Sequence, residues 1–193
     1  MSYLGHEEMI KINKGLPGAL ERLHSEYGWR TEDKVRDGAY EGHLLLIATP
    51  SKSLWRDPTF GNVRSASTLS RIIDTKLRFA ALDPRKPASI FYHDEDHEDA
   101  HGHHDPIYPG VVSWDYVHLF AGMTGYKGIV DHTAMSMLGF FGRAMSETLY
   151  ERMIDPTEIP QLAAMIKELD LDFGQFLKDM QAIIEPRVEA LRS

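Results

Sequence analysis

Apolar residues recur at helical spacing along two long segments near the end of the chain, and they constrain the fold most. The first segment, 129–153, carries Val130, Ala134, Met137, Leu138, Phe141, Met145 and Leu149. The second, 173–191, carries Phe173, Phe176, Leu177, Met180, Ile183, Ile184, Val188 and Leu191. Apolar positions three and four apart form one face of an amphipathic helix. We therefore expect a mainly α fold, a helical bundle-like single domain over 1–193.

Shorter helices are predicted in four other places. Segments 3–14, 17–27 and 66–82 have helical patterns, and Pro160 begins another helix that ends near Leu169. Asp172 with Gln175 three residues later resembles a capping box for the last helix. The segment from about 43 to 112 is expected to be irregular, with 44–48 as either a strand or a buried helical turn.

Two features between 113 and 132 were interpreted as parts of helices. Ser113 is expected to cap a short helix that carries Asp115 and His118. On the helix at 129–153, His132 lies nearly opposite the apolar stripe, and Asp131 flanks it. This position predicts a His132 side chain that faces solvent or a partner subunit.

Composition excludes several classes of protein. The chain of 193 residues contains no cysteine, which excludes disulfides, thiolate zinc sites and iron–sulfur clusters. No apolar run is long enough to span a membrane, and no signal-peptide pattern opens the chain. Six of the eight excess negative charges lie in one short tract, so an extended nucleic-acid footprint is not expected. We expect a soluble, cytoplasmic protein.

That tract is HDEDHEDAHGHHD, residues 93–105, and it predicts metal binding. Its five histidines are His93, His97, His101, His103 and His104. Its six carboxylates are Asp94, Glu95, Asp96, Glu98, Asp99 and Asp105. Imidazole and carboxylate bind first-row divalent metals, so zinc, iron or nickel is expected, with the histidines and Glu98 as ligands. Because Pro106, Pro109 and Gly110 follow, segment 93–110 is interpreted as a surface loop or insertion.

The tract allows two conformations. In a helix, His93, His97, His101 and His104 would share one face, whereas in a loop they would form a flexible multidentate site. Residues 97–101 also match the HExxH pattern of zinc metalloproteases. The acidic neighbours of this match differ from the half-apolar helix that such enzymes use, and they favour a chance match.

A weaker set of ligands is predicted on helices. Glu21 with His24, and Asp115 with His118, pair a carboxylate and a histidine three residues apart. Di-metal carboxylate bundles use two such pairs and two further glutamates, for which the candidates are Glu7, Glu8, Glu147 and Glu151. An exposed polar face with ordinary hydrogen bonds is the alternative.

A basic block precedes the tract and offers contacts to an anionic substrate. It comprises Lys52, Arg56, Arg64, Arg71, Lys76, Arg78, Arg85 and Lys86. Arg56, Arg64 and Arg71 are the predicted substrate contacts, and simple charge balance is the alternative. The glycine-rich segment 122–128 leads into a helix N-terminus that could bind an anion, although a plain turn is the simpler interpretation.

Three functions remain open from the sequence. The first is a metal-dependent enzyme, an oxidoreductase or hydrolase, that acts on a small and possibly anionic molecule. The second is a non-enzymatic metal buffer, chaperone or sensor that uses 93–105. The third is a helical interaction protein whose tract is a solvated linker. The exposed part of either apolar stripe could support a homodimer.

Overall fold

The structure is a computed structural model, and its described residues include a four-stranded antiparallel sheet and five complete α-helices. It describes residues 7, 8, 11, 12, 16, 19, 20, 27, 35, 36, 39, 40, 44–48, 54–58, 66–98, 102–115 and 119–192. The strands are β1 (Val35–Arg36), β2 (Ala39–Tyr40), β3 (Leu44–Ala48), β4 (Leu54–Pro58), β5 (Asp96–Glu98), β6 (His104–Pro106), β7 (Val111–Trp114) and β8 (Leu119–Thr124). The helices are α1 (Ala66–Ala80), α2 (Gly128–Phe141), α3 (Glu147–Met153), α4 (Pro160–Glu168) and α5 (Phe173–Glu189), with a short 3₁₀ helix at Ser89–Tyr92.

The main sheet has the strand order β4–β3–β8–β7. Its central pair joins distant parts of the chain, because Ala48 of β3 lies opposite Phe120 of β8. Strands β1 and β2 form one separate hairpin, and β5 and β6 form another. The fold is therefore mixed α/β, and the prediction of a mainly α, bundle-like domain is wrong.

The main sheet is covered on both faces. Val111 of β7 packs in a small cluster with Ile73 and Ala80 of α1. The next residue, Val112, belongs to the large core cluster together with residues of α2 and α5. Because successive side chains of a strand point to opposite faces, α1 covers one face of the sheet and α2 covers the other.

Burial on both faces explains why β7 and β8 were missed. A strand covered on both faces has no alternation of apolar and polar residues, so its pattern cannot be distinguished from that of a buried helix. The predicted helix after Ser113 is wrong, because Val111–Trp114 is a strand and the chain returns as Leu119–Thr124. The predicted irregular segment 43–112 contains α1, the four complete strands β3 to β6 and the start of β7.

Helix α2 is buried all round, which corrects the prediction for His132. The side chains of Asp131 and His132 are 2% and 0% exposed. The helix packs against β7 and β8 on one side and against α3, α4 and α5 on the others. A helix enclosed in this way has no solvent face, so the position of His132 relative to an apolar stripe does not predict exposure.

The long helix predicted at 129–153 is two helices. Helix α2 ends at Phe141, and Arg143 has a left-handed backbone conformation with φ of 58°. Ser146 then begins α3 by accepting a hydrogen bond from the backbone N–H of Leu149 at 3.2 Å. The continuous stripe therefore spans a break that apolar spacing alone does not reveal.

The other helix predictions agree with the described residues. Helices α1, α4 and α5 coincide with the predicted segments to within a few residues. Asp172 caps α5 by accepting from the backbone N–H of Gln175 at 3.0 Å. The described residues between 7 and 20 are helical, and Leu16 and Leu20 are buried. No helix among the described residues is long and apolar enough to cross a membrane.

Candidate functional site

Two described parts of the histidine-rich tract pair as the strands of a β-hairpin. Strands β5 and β6 pair with His97 opposite Asp105 and Glu98 opposite His104. The hairpin joins the body of the protein at the buried Ile107, whose N–H donates to the carbonyl of Glu95 at 3.2 Å. Because His97 lies in a strand, the helical conformation of the tract is wrong, and the HExxH match cannot place two histidines on one helical turn.

One face of this hairpin carries Asp96, Glu98 and His104, which we call the hairpin face. Alternation along β5 puts Asp96 and Glu98 on the same side, and the register puts His104 beside them. The Nδ1 atom of His104 lies 3.0 Å from Oδ2 of Asp96, and the two side chains are 63% and 65% exposed. Since a carboxylate only accepts, Nδ1 of His104 donates, which leaves Nε2 as the nitrogen with a lone pair.

His97 lies on the opposite side of the hairpin. Its ring packs edge-on against Phe79 of α1, with the ring centroids 5.2 Å apart. This contact joins the hairpin to α1 and separates His97 from the hairpin face. His97 and His104, which were predicted as members of one ligand set, therefore lie on opposite sides of the hairpin.

The remaining residues of the tract are distributed as follows. His93 is half-buried, and its Nδ1 lies 3.1 Å from the carbonyl oxygen of Ile107, while His103 is exposed. Residues Asp99 and His101 lie outside the described residues, as does the side chain of Asp105. Within the part of the chain that the structure describes, no three His, Asp or Glu side chains are grouped closely enough to hold a metal ion.

The second, helical ligand set lies mostly outside the described residues and stays a prediction. Asp115 follows β7 rather than lying on a helix, and its Oδ1 accepts from the backbone N–H of Ser146 at 3.0 Å. Glu21, His24 and His118 lie outside the described residues. The accessory candidates Glu7 and Glu8 are helical, and Glu147 and Glu151 lie exposed on α3.

Among the described residues, the basic block is not confined to the surface. Lys76 is 1% exposed, and its Nζ donates to the carbonyl of Met123 at 3.0 Å. Arg71 is half-buried on α1. Arg64 and the side chain of Arg56 lie outside the described residues, so the predicted substrate contacts stay a prediction.

A pocket of about 300 Å³ lies at the base of the hairpin, where α2 begins and α4 ends. His93 and Tyr108, from the two ends of the hairpin segment, line one side. Its apolar lining comes from Pro109, Ile129, Met165 and Leu169, together with the ring of Tyr126. Such a volume falls at the small end of the range for ligand pockets.

The pocket has one basic and one acidic side chain. Lys127, the N-cap residue of α2, and Glu168, the last residue of α4, both line it. The helix dipoles match the charges of these side chains. The positive N-terminus of α2 lies beside Lys127, and the negative C-terminus of α4 lies beside Glu168. Neither residue was predicted as part of a site, although the glycine-rich segment 122–128 indicated a turn at a helix N-terminus.

Behind the pocket lies a buried ion pair. The phenol of Tyr126 is buried, and its pKa is raised by burial first and by the charge of Asp131 second. Asp131 in turn lies 3.8 Å from Nζ of Lys76.

Burial also lowers the pKa of His132 to about 4, although the hydrogen bond from its Nε2 to the carbonyl of Met153 at 2.7 Å opposes this shift.

The comparisons with known proteins identify no relative. No family model matches the chain, and no curated protein or solved structure is significantly similar to it.

Proposed function

We propose that the protein binds a divalent metal ion on the hairpin face and acts as a metal buffer, chaperone or sensor. The observation that carries this proposal is the contact between His104 and Asp96. Metal-bound histidines commonly donate their second ring N–H to a carboxylate, which fixes the ring and raises the basicity of the other nitrogen. Nε2 of His104 would bind the ion, and Glu98, its cross-strand partner, would supply a carboxylate ligand.

The exposure of the hairpin face favours capture over catalysis. A catalytic metal requires a shielded cavity that orients substrate, whereas His104 and Asp96 are mostly exposed. An exposed site loads and releases its ion without a change in the core. The mixture of one imidazole and one carboxylate suits zinc or another borderline metal better than calcium or magnesium.

A metal-dependent enzyme is the second candidate, and His93 is the observation that favours it. Its Nδ1 donates to the carbonyl of Ile107, so Nε2 carries the lone pair, and the ring lines the pocket. A metal ion or a proton on this nitrogen would lie next to a small, possibly anionic molecule in the pocket. Hydrolytic and redox chemistry are both compatible with such a site.

Zinc titration of untagged protein tests the first candidate. We expect His104→Ala to abolish binding at micromolar zinc, and Asp96→Ala to weaken it about tenfold through loss of ring orientation. His97→Phe is the matched control, because it removes an imidazole from the other side and keeps a ring against Phe79. Equal losses in His97→Phe and His104→Ala, or no zinc binding by the natural protein, would refute the proposal.

His93→Ala separates the two candidates. Capture on the hairpin face predicts unchanged zinc affinity in this variant. A metal centre at the pocket predicts that His93→Ala loses zinc binding and that His104→Ala retains it. Isothermal titration calorimetry gives both the affinity and the number of ions bound.

A further inference from the structure

We propose that the pocket at the base of the hairpin binds a small zwitterion with an apolar body, the chemistry of a neutral apolar α-amino acid. This ligand site is separate from the proposed metal site on the hairpin face and does not depend on it. It is assigned from the charges, the lining and the size of the pocket.

The first argument is the pair of opposite charges. Lys127 and Glu168 line the same pocket, yet no ion pair joins these two described residues. Opposite charges that share a concave site without contacting each other can each bind a complementary group of one ligand. A ligand carboxylate would lie near Lys127, and a ligand ammonium group near Glu168.

The backbone has the same polarity as the side chains. Gly128 and Ile129 are the first two residues of α2, and N–H groups of a first helical turn have no partner within the helix. Leu169 is the C-cap of α4, where carbonyl oxygens point outward. The two helix ends therefore favour an anion on one side of the pocket and a cation on the other.

The lining and volume define the rest of the ligand. Ile129, Met165 and Leu169 line the same pocket with apolar side chains, so the body of the ligand is apolar. A volume of about 300 Å³ suits a molecule of few atoms better than a nucleotide. The single lysine matches one carboxylate, whereas a phosphate dianion would also be repelled by Glu168.

Three probes that share the leucine side chain test the assignment by calorimetry at pH 7. Leucine has both charges, leucine methyl ester has only the cation, and N-acetyl-leucine has only the anion. We expect the natural protein to bind leucine about fivefold more tightly than either derivative, as for one partly exposed ion pair.

Two variants assign each charge to one residue. Lys127→Met should abolish the preference for leucine over the ester and keep the preference over N-acetyl-leucine. Glu168→Gln should have the opposite pattern. Lys167→Met and Glu151→Gln are matched controls, because both residues are exposed and neither lines the pocket.

The proposal fails if the natural protein binds none of the probes at millimolar concentration or binds all three equally. It also fails if both variants lose affinity for all probes alike, since that pattern indicates a general disturbance of the pocket. Zinc binding should be unchanged in Lys127→Met. A failure of the ligand proposal can therefore be distinguished from a failure of the metal proposal.

Discussion

The ammonium group of Lys76 lies 3.8 Å from the carboxylate of Asp131, although the two residues belong to helices on opposite faces of the sheet. They meet where the pairing of β7 with β8 ends, beside Gly110 and the carbonyl of Met123. Both side chains are almost fully buried. The pair therefore joins the two layers of helices across the end of the sheet.

Removing one partner of this pair should destabilise the protein strongly. We expect Lys76→Met to lower the free energy of unfolding by about 3–5 kcal/mol, because Asp131 is then a buried charge without its cation. The double variant Lys76→Met with Asp131→Leu should be more stable than the sum of the single effects predicts. Urea unfolding measures these values, and Lys167→Met on the surface of α4 is the control. Strict additivity would contradict the interpretation.

Stability should fall with acid because of His132. Its pKa is about 4 in the folded protein and about 6.5 when unfolded, so the unfolded state binds the proton more readily. The stability that depends on neutral His132 is fully present above pH 6.5. About 3 kcal/mol of the free energy of unfolding is lost as the pH falls from 6.5 to 4. Urea unfolding across this range measures the slope. In His132→Gln the slope should be smaller, and an unchanged slope would assign the effect to other groups.

Gly110 should tolerate no side chain. Its φ is 121°, and a Cβ there would lie 2.5 Å from the carbonyl oxygen of Met123 and 2.7 Å from Cβ of Asp131. We expect Gly110→Ala to cost at least about 3 kcal/mol, from backbone strain and from displacement of the ion pair.

Gly174→Ala is the matched control for Gly110. Gly174 is exposed in the first turn of α5, and a Cβ there meets nothing closer than 3.6 Å. This substitution should raise stability by about 0.5 kcal/mol through helix propensity and the unfolded chain. Thermal unfolding of the two variants should therefore give shifts of opposite sign.

The N-cap of α5 should contribute measurably to stability. Asp172→Ala removes the acceptor for the N–H of Gln175 and should cost about 1 kcal/mol, whereas Asp172→Asn keeps an acceptor. A loss of this size corresponds to a shift of the melting temperature of about 2–4 °C for a chain of this length. Equal melting temperatures for the two variants would contradict a capping role.

The sequence predicted those parts of the fold in which one helix face meets the core. In α5, Phe176, Met180, Ile184 and Val188 are all buried, as their spacing indicated. Helix α2 differs, because all of its residues from Ile129 to Gly139 are buried and its stripe therefore carries no directional information. Strands β7 and β8 were not predicted for a related reason, since α1 and α2 cover their two faces.

The geometry of the hairpin face and of the pocket could not be predicted from the sequence. The tract at 93–105 was recognised, yet only the strand register separates His104 from His97. Lys127 and Glu168 are distant in sequence, and they share a pocket because α2 and α4 bring opposite helix ends together. Such proximity depends on tertiary packing, which no local pattern encodes.

The pairing of β3 with β8 has a consequence for folding during synthesis. Ala48 leaves the ribosome long before its partner Phe120. Strand β3 therefore cannot pair with β8 until the residues between them have been synthesised. Until then the apolar strand LLLIA has an unpaired edge that can associate with other chains. Slow folding and a need for chaperones during translation are therefore expected for this topology, even if the finished protein is stable.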